Sequence, residues 1–418
     1  MKILILHAHW SNRGDEAAIR AMIDSLKAEL PVEKMWIMIV GPRPEQFPYD
    51  DIEWLELYPF FWRWDIRPKS LVNRLDTLFN ILTCGRLSLT RRGRKFLRAV
   101  SEADIVIHAP GGPTIGDLNA LGDLQYLHRL LIAKVFKRKP IFFYAPSMGP
   151  FSGRLRNWAR KFVLKRADAI ILREEISLGY LRDQLGLEAH VTLDSAFQND
   201  VFEDYIQRYD NLSETLELVE GKRAVGMVIT DLKWYPRYRD SEGLAERIMA
   251  CCSEVASYLI EKGYPILLIP QLFGEVDDTR LLESIRGLDK ERIHICPPEI
   301  DSYGQQVLIS KLFCLISLRY HPAVFAAKVN TPFISIYYEH KAEGFARKAG
   351  FTDFIIHIEN ISASEIINRF TVLERDYDTV KERLRAINPL LKEESRKTTR
   401  IIIDKLKQLG WAIDKPRE

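Results

Sequence analysis

The stretch that decides the fold is KILILHAHWSNRGDEAAIRAMIDSLKAEL, residues 2–30. Its first part is a continuous apolar run, which predicts a strand over Lys2–His7 that is buried on both faces. Its second part repeats apolar residues at helical spacing, which predicts a helix over Asp15–Leu30. A strand followed directly by a helix is the unit from which parallel α/β sheets are built.

The same alternation continues along the chain. Further apolar runs, each followed by a helical pattern, are IVIH, IFFY, ILLI and ISIY at residues 105–108, 141–144, 266–269 and 334–337. The polar, acidic stretch 198–222 interrupts the rhythm. We therefore predict an α/β fold of two doubly wound, Rossmann-like domains facing a central cleft, where open parallel sheets bind ligands. The predicted ranges are domain one over 1–200, a linker over 201–222, domain two over 223–361 and C-terminal helices over 362–418.

Composition excludes several classes of protein. The chain is 47% hydrophobic and 28% charged, which is typical of a globular protein and not of a disordered one. Its formal net charge of +3 gives no sign of a nucleic-acid partner. Five cysteines without a Cys-x-x-Cys pair, and histidines without ligand spacing, predict neither a disulfide framework nor a metal site.

No apolar run approaches the ~20 residues that span a bilayer, and the N-terminal run is too short for a signal peptide. We therefore predict a cytoplasmic protein, with peripheral attachment to the inner face of the membrane as an alternative.

The segment 58–98 departs from the α/β pattern. It carries ten Lys and Arg residues against two Asp, and aromatic residues crowd its start at Phe60, Phe61, Trp62 and Trp64. A basic stretch with interfacial aromatics is suited to peripheral contact with an anionic membrane. A solvated helical insertion packed on the first domain is the alternative, and both remain open at this point.

Polar residues follow the first strand in the turn Asn12-Arg13-Gly14-Asp15-Glu16. This turn begins a helix, so its free backbone N–H groups and the side chains of Asn12, Asp15 and Glu16 are candidates for an acceptor or anion site. Asp15 is predicted to be the N-cap. A capped helix with no further role explains Asp15 equally well.

Two more strand ends carry candidate binding residues. Gly111 and Gly112 follow the strand Asp104–Ala109, and their missing side chains allow a ligand to approach the backbone. Their spacing is not that of a dinucleotide fingerprint, and a tight turn is the alternative. Arg173 follows the strand Ala169–Leu172, where its planar fork suits a phosphate or carboxylate. An ion pair with Glu174 or another neighbour is the alternative.

The most informative segment is Arg319-Tyr320-His321, after the strand Leu312–Ser317. Arg319 and His321 are two residues apart, so in an extended chain they point the same way. The proline that follows suits the start of a helix. A cation and an imidazole at that position suit an anionic substrate and proton transfer. Lys341, after the next strand, either reaches the same anion or is merely exposed.

Taken together, these motifs resemble the polysaccharide pyruvyl transferase family over about residues 1–350. The matching segments are Asn12-x-Gly14-Asp15-Glu16, Gly111-Gly112, Gly149-Pro150-Phe151, Arg173-Glu174-x-x-Ser177, Asp194-Ser195-Ala196-Phe197, Arg319-Tyr320-His321 and Pro332 to Lys341. The resemblance implies a fold similar to GT-B glycosyltransferases. It also implies transfer of a pyruvyl group from phosphoenolpyruvate to a sugar, often as a cyclic ketal, with phosphoenolpyruvate as co-substrate and no further cofactor.

The resemblance also implies roles for individual residues. Arg173, Arg319, Tyr320 and His321 fall on the family's phosphoenolpyruvate-contacting positions, which makes domain two the donor side and domain one the acceptor side. His321 is the predicted general acid. As our own hypothesis, Asp15 or Glu16 deprotonates the sugar hydroxyl.

Two other functions remain open. One is a nucleotide-sugar glycosyltransferase of the same architecture, with Arg319 and Lys341 on the phosphates. The other is a non-catalytic family member that acts in binding or assembly. The sequence also leaves open whether the sugar or glycan acceptor is free, nucleotide-linked or lipid-linked.

Overall fold

The computed structural model describes residues 1–10, 12–40, 47–58, 68–119, 123–210, 212–233, 235, 237–238, 240–272 and 278–413, of which 68–70, 113 and 119 are described by their backbone alone. By their internal contacts these residues form two compact units. Unit 1 comprises Met1–Trp10, Ala18–Ser195 and Glu394–Glu418, and unit 2 comprises Ser11–Ala17 and Ala196–Glu393. Most of the range 1–200 falls in unit 1, and the range 223–361 falls in unit 2. Residues 11–17 instead belong to unit 2, and the tail from residue 394 belongs to unit 1.

Unit 1 is built on a seven-stranded parallel sheet. The strands of this sheet are β1 (Lys2–His9), β2 (Lys34–Val40), β3 (Ile52–Leu55), β4 (Ile105–His108), β6 (Ile141–Tyr144), β8 (Ala169–Leu172) and β9 (His190–Val191). A separate parallel pair is formed by β5 (Gly111–Ile115) and β7 (Pro146–Met148). The sheet order is β3-β2-β1-β4-β6-β8-β9. The helices that begin in this part of the chain are α1 (Arg13–Glu29), α2 (Pro68–Leu82), α3 (Arg91–Glu102), α4 (Asp123–Leu131), α5 (Arg154–Leu164) and α6 (Glu175–Tyr180).

Both faces of the unit 1 sheet are covered, because successive side chains of a strand point to opposite faces. Ile3 and Ile5 belong to one buried apolar cluster, whereas Leu4 and Leu6 belong to the other. All four side chains are fully buried. Burying a side chain of this size stabilises the fold by about 1.5–3 kcal/mol, so the opening apolar run anchors both layers of the core.

Unit 2 contains a six-stranded parallel sheet in the order β12-β11-β10-β13-β14-β15. Its strands are β10 (Val225–Val228), β11 (Ile266–Leu268), β12 (Ile293–Ile295), β13 (Cys314–Ser317), β14 (Phe333–Tyr337) and β15 (Ile355–His357). The remaining helices are α7 (Asp204–Gln207), α8 (Ser213–Val219), α9 (Leu244–Glu261), α10 (Thr279–Arg286), α11 (Ser302–Ser310), α12 (Tyr320–Lys328), α13 (His340–Ala349), α14 (Ala363–Arg375) and α15 (Tyr377–Gln408), whose last residues belong to unit 1.

The prediction of parallel α/β sheets is confirmed, and each predicted strand is present. The sequence pattern missed the separate pair β5 and β7. Three more missed strands, β3, β9 and β15, lie at edges of the two sheets. Each is short and includes partly exposed residues, so it lacks the continuous apolar run of a central strand.

The basic segment is described only in part. Phe60, Phe61, Trp62 and Trp64 lie outside the described residues. In the described part of the segment, residues 68–82 form α2 and residues 91–98 belong to α3, both within unit 1. In the part of the chain that is described, no helix combines the length and the apolar character needed to cross a bilayer.

Three histidines of unit 1 are buried in neutral form. Burial lowers the pKa of His108 to about 4 and that of His128 to about 3. Burial, followed by the charges of His108 and Arg129, also lowers the pKa of His7 well below its ordinary value. These imidazoles therefore bind protons less readily in the folded chain than in the unfolded one.

This difference predicts an acid-sensitive unit 1. Below about pH 6.5 the unfolded chain takes up protons at these histidines while the folded chain does not. The free energy of unfolding therefore decreases as the pH is lowered. The variant His108→Phe should reduce this fall by roughly 2 kcal/mol between pH 7 and pH 5, as measured by urea denaturation. His190→Gln, at an exposed histidine, is the control. An unchanged pH dependence in His108→Phe would contradict the prediction.

Candidate functional site

The candidate site of unit 2 lies where neighbouring parallel strands end. Thr230, Gln271, Arg319 and Tyr338 come just after β10, β11, β13 and β14, which are adjacent in the sheet. The carboxyl ends of parallel strands meet at one edge, and open α/β sheets bind their ligands there. The fold therefore brings together residues that are more than a hundred positions apart in the chain.

Arg319 is held at this edge by a buried carboxylate. Its Nη2 donates to Oδ1 of Asp278 at 3.0 Å and to Oγ1 of Thr230 at 3.3 Å. The other carboxylate oxygen of Asp278 accepts from the backbone N–H groups of Gln271 at 2.8 Å and Leu272 at 2.9 Å. The side chains of Arg319 and Asp278 are only 9% and 3% exposed, so the ion pair is largely shielded from water.

Arg319 is also the N-cap residue of α12. Ser317 fixes it there, because the Ser317 hydroxyl accepts from Arg319 N and donates to Arg319 O. Tyr320 and His321 consequently lie in the first helical turn, where backbone N–H groups favour an anion. The helix begins two residues before the predicted Pro322. The expectation that His321 lies in extended chain is therefore wrong.

Lys341 lies beside this turn. Its Nζ is 5.7 Å from the ring centroid of Tyr320, and it forms an ion pair with Glu339. The lysine side chain is 14% exposed, so the alternative that it is merely exposed is wrong. Burial and then the charge of Glu339 raise the pKa of Tyr338, which also lies close enough to Arg319 to be affected by its charge.

The first turn of α1 completes the arrangement in unit 2. Asn12 forms a β-bridge with Leu272, and the backbone N–H of Arg13 donates to Gln271 O at 3.1 Å. Arg13 also donates through Nη2 to Pro298 O at 2.7 Å. These contacts attach the Asn12–Glu16 turn to the same edge of the sheet as Arg319.

Asn12, and not Asp15, caps this helix. The Asn12 Oδ1 accepts from the backbone N–H of Asp15 at 2.8 Å, and its Nδ2 donates to Asp15 Oδ2 at 2.6 Å. The predicted cap is wrong because the helix begins at Arg13, which puts Asp15 at the third helical position. Asp15 stays partly exposed and keeps a carboxylate at the site.

Glu16 is held more firmly than Asp15. Its carboxylate forms an ion pair with Nη1 of Arg13 at 2.6 Å and is almost fully buried. It also accepts from Ser302 N at 3.2 Å and from Ser302 Oγ at 2.9 Å, at the start of α11. These three contacts give Glu16 a role in fixing the turn.

The close packing of His321 explains why this motif has a glycine at position 14. A Cβ atom at residue 14 would lie 2.0 Å from Nδ1 and 2.2 Å from Cγ of His321. No side chain fits there, so the backbone of the turn rests directly on the imidazole. The position of His321 therefore depends on a glycine at position 14.

In unit 1 the motif arginine is part of a buried network. Arg173 donates to Asp194 Oδ2 at 2.6 Å, to Ser147 Oγ at 2.8 Å and to Gly112 O at 3.2 Å. The ion-pair partner is Asp194, whereas Glu174 caps α6 by accepting from a backbone N–H. The arginine thus links three of the predicted motifs within one unit.

The glycine pair lies in this network. Gly111 and Gly112 have φ angles of 125° and 94°, in a region that favours glycine. A Cβ at Gly112 would lie 2.4 Å from Thr114 N. The turn itself therefore requires a glycine at position 112.

The structure brings most of the predicted site residues together in unit 2. These are Asn12, Asp15, Glu16, Arg319, Tyr320, His321 and Lys341, while Arg173, Gly111 and Gly112 lie together in unit 1. Sequence reasoning missed Asp278, Thr230, Ser317 and Glu339. Asp278 lies directly before α10, where its side chain makes no capping hydrogen bond to that helix. Among the described residues, no three His, Cys, Asp or Glu side chains are grouped to hold a metal.

The fold and the comparisons define the class of protein. The architecture is the α/β type of GT-B-like enzymes. Staphylococcus aureus MnaA in complex with UDP matches with a TM-score of 0.58 and 12% identity over 100% of both chains. Anabaena Alr3699/HepE in complex with UDP and glucose matches with a TM-score of 0.57 and 14% identity, over 98% of this chain and 100% of that one.

The family follows from the sequence match. A family model described as polysaccharide pyruvyl transferase matches residues 12–340, which include the motif residues named above up to His340 but not Lys341. The chain belongs to this family and is a transferase. It is 23% identical over 436 residues to the amylovoran biosynthesis protein AmsJ of Erwinia amylovora, covering 98% of this chain and 100% of that protein.

The contact between Gly14 and His321 predicts an unusual response to alanine. Replacing a glycine inside a helix with alanine normally stabilises the protein by up to about 1 kcal/mol. We expect Gly14→Ala instead to destabilise the protein by at least about 1 kcal/mol, because the methyl group overlaps the His321 ring.

The measurement is urea denaturation of both variants in parallel. Gly179→Ala is the matched control, since Gly179 lies in α6 with no heavy atom within 4 Å of the added Cβ. Equal stabilisation by the two substitutions would show that the close contact is absent.

Proposed function

We propose that the protein transfers the pyruvyl group of phosphoenolpyruvate to a sugar of a polysaccharide, glycan or glycan precursor. The product is a ketal, and phosphate is released. The observation that carries this proposal is the arrangement of Arg319, His321 and Lys341 around the first turn of α12, with Arg319 fixed by Asp278.

This arrangement suits a small, doubly anionic donor. Phosphoenolpyruvate carries a carboxylate and a phosphate, and unit 2 offers Arg319, Lys341 and the N-terminal N–H groups of α12. Arginine binds such oxygens in a planar, directional way, whereas lysine adds a point charge. Because Asp278 and Thr230 already hold the guanidinium, little side-chain freedom is lost when the donor binds.

His321 is suited to start the chemistry. Its protonated imidazole transfers a proton to the methylene carbon, the carbon–carbon double bond is consumed, and the central carbon becomes electrophilic. A sugar hydroxyl then adds to that carbon and gives up its proton. A second hydroxyl displaces phosphate and closes the ketal, and its proton leaves with the phosphate. The bonds and protons of these steps balance with phosphoenolpyruvate as the co-substrate and without a further cofactor.

Of the two predicted bases, Asp15 suits the deprotonation of the hydroxyl better. Glu16 is neutralised by Arg13 and accepts from Ser302, whereas Asp15 is partly exposed and bound to Asn12. In this proposal Glu16 positions the turn and Asp15 takes the proton. Arg173 holds the Gly112 turn through its contact with the backbone, and its contact with phosphoenolpyruvate stays a prediction from the resemblance.

A glycan acceptor is supported by the family and by the relative AmsJ, which is an amylovoran biosynthesis protein. Whether the acceptor is lipid-linked stays a prediction. The nucleotide-sugar alternative rests on the fold alone, because the UDP complexes belong to distant structures.

Donor binding is the first test. Calorimetry with phosphoenolpyruvate should show saturable binding that Arg319→Gln weakens at least tenfold, about 1.4 kcal/mol. Arg347→Gln is the control, since Arg347 is an exposed arginine of α13 in the same unit. Binding of UDP-glucose in place of phosphoenolpyruvate would favour the nucleotide-sugar alternative. Binding that is unaffected by Arg319→Gln would remove the proposed donor site.

The role of His321 is tested by separating binding from turnover. We expect His321→Gln to bind phosphoenolpyruvate within about threefold of the wild type but to lose at least about 100-fold in turnover. The assay is phosphate release from phosphoenolpyruvate with a panel of methyl glycosides, and mass spectrometry identifies the pyruvylated sugar. His294→Gln, on β12, is the control. Full turnover by His321→Gln would show that another group donates the proton.

A further inference from the structure

Helix α2 exposes the apolar side chains that a surface helix normally buries. Leu71, Leu75, Leu78 and Leu82 recur at helical spacing and form one stripe. Together with Val72 and the following Leu87 and Leu89, these side chains are between 50% and 72% exposed. We call these seven residues the apolar face.

The buried side of α2 is polar, and its hydrogen bonds fix the orientation of the helix. The carboxylate of Asp76 accepts from Ser88 Oγ at 2.8 Å, from Leu89 N at 2.5 Å and from Thr90 Oγ1 at 2.7 Å. Asn80 donates to Leu87 O at 3.0 Å. Rotating α2 to bury its leucines would break these hydrogen bonds to the Asp76 carboxylate, which is now fully buried. The exposure of the apolar face is therefore built into the fold.

Helix α3 adds positive charge beside the apolar face. Arg91, Arg94, Lys95 and Arg98 are exposed and recur at helical spacing, so they form a basic stripe. Arg94 also donates to Leu89 O at 2.8 Å, which ties the stripe to the apolar face. Residues 71–98 contain seven Lys and Arg residues and a single Asp.

The opposite side of α3 attaches this surface to unit 1. Phe96, Leu97 and Val100 are buried in the same apolar cluster as Leu4 and Leu6 of β1. Thr90 caps the helix by accepting from Gly93 N at 3.0 Å. The apolar face and the basic stripe therefore belong to the folded unit.

We propose that the apolar face and the basic stripe together bind the surface of a bilayer that contains anionic lipids. The leucines enter the boundary between headgroups and acyl chains, and the basic stripe binds the negatively charged headgroups. This inference goes beyond the proposed function and does not depend on it. It places the transferase at the surface where a lipid-linked glycan acceptor would be found.

The pattern of charge favours a membrane over a second copy of the chain. A symmetric dimer built on this surface would place the same patch on both subunits. The basic stripes would then flank one shared interface, and like charges in that position cost free energy. An anionic bilayer offers an apolar boundary for the leucines and negatively charged headgroups for the basic stripe.

Vesicle co-sedimentation of the full chain tests the proposal. We expect binding to vesicles of phosphatidylcholine mixed with phosphatidylglycerol, weaker binding to phosphatidylcholine alone, and loss of binding at high salt. Two variants remove the two parts of the surface, namely Leu71→Gln/Leu75→Gln/Leu78→Gln and Arg91→Gln/Arg94→Gln/Lys95→Gln/Arg98→Gln. Each should reduce the apparent affinity for the anionic vesicles by at least about tenfold.

Matched controls make the same changes elsewhere on the surface. They are Leu288→Gln/Leu390→Gln/Leu409→Gln, at exposed leucines, and Lys222→Gln/Lys262→Gln/Lys290→Gln/Arg385→Gln, at exposed cations. Circular dichroism checks that each variant is folded. Because phosphoenolpyruvate binding is measured separately, failure of this proposal is distinguishable from failure of the proposed function.

Three results would overturn the proposal. One is no binding of the wild type to the anionic vesicles. Another is binding that the surface variants and the control variants reduce equally. The third is a dimer in solution that the leucine variant dissociates, without vesicle binding, which would assign the apolar face to self-association.

Discussion

The candidate site of unit 2 depends on one buried carboxylate. Asp278 accepts from Arg319 and from two backbone N–H groups, and it comes from a different part of the chain than the arginine. Removing one partner of a buried pair costs about 3–5 kcal/mol, because the other charge is left without compensation. The guanidinium is therefore held by Asp278 at the N-cap of α12, the helix whose first turn carries His321.

A second buried pair has the same form in unit 1. Arg173 and Asp194 are both fully buried, and the arginine reaches the backbone of the Gly112 turn. The motifs around Arg173 are thus explained by contacts with each other. The same holds for Gly14, whose missing side chain makes room for His321.

The fold does not decide the reaction by itself. GT-B-like structures in complex with UDP share the architecture at 12–14% identity. What they share with this chain is the layered arrangement of sheets and helices. What separates this chain is the set of side chains placed at the strand ends. Arg319, His321 and Lys341 suit a small dianion and a proton transfer, which is the chemistry that we propose for this member of the family.

The sequence by itself determined the parallel α/β architecture and the strand ends that carry the motif residues. These features are local, because continuous apolar runs and helical periodicity are properties of neighbouring residues. Only the tertiary structure decided that Asp278 binds Arg319 and that α2 turns its leucines outward. Each of these outcomes depends on which hydrogen-bond partners distant segments offer once they are packed together, and no local pattern contains that information.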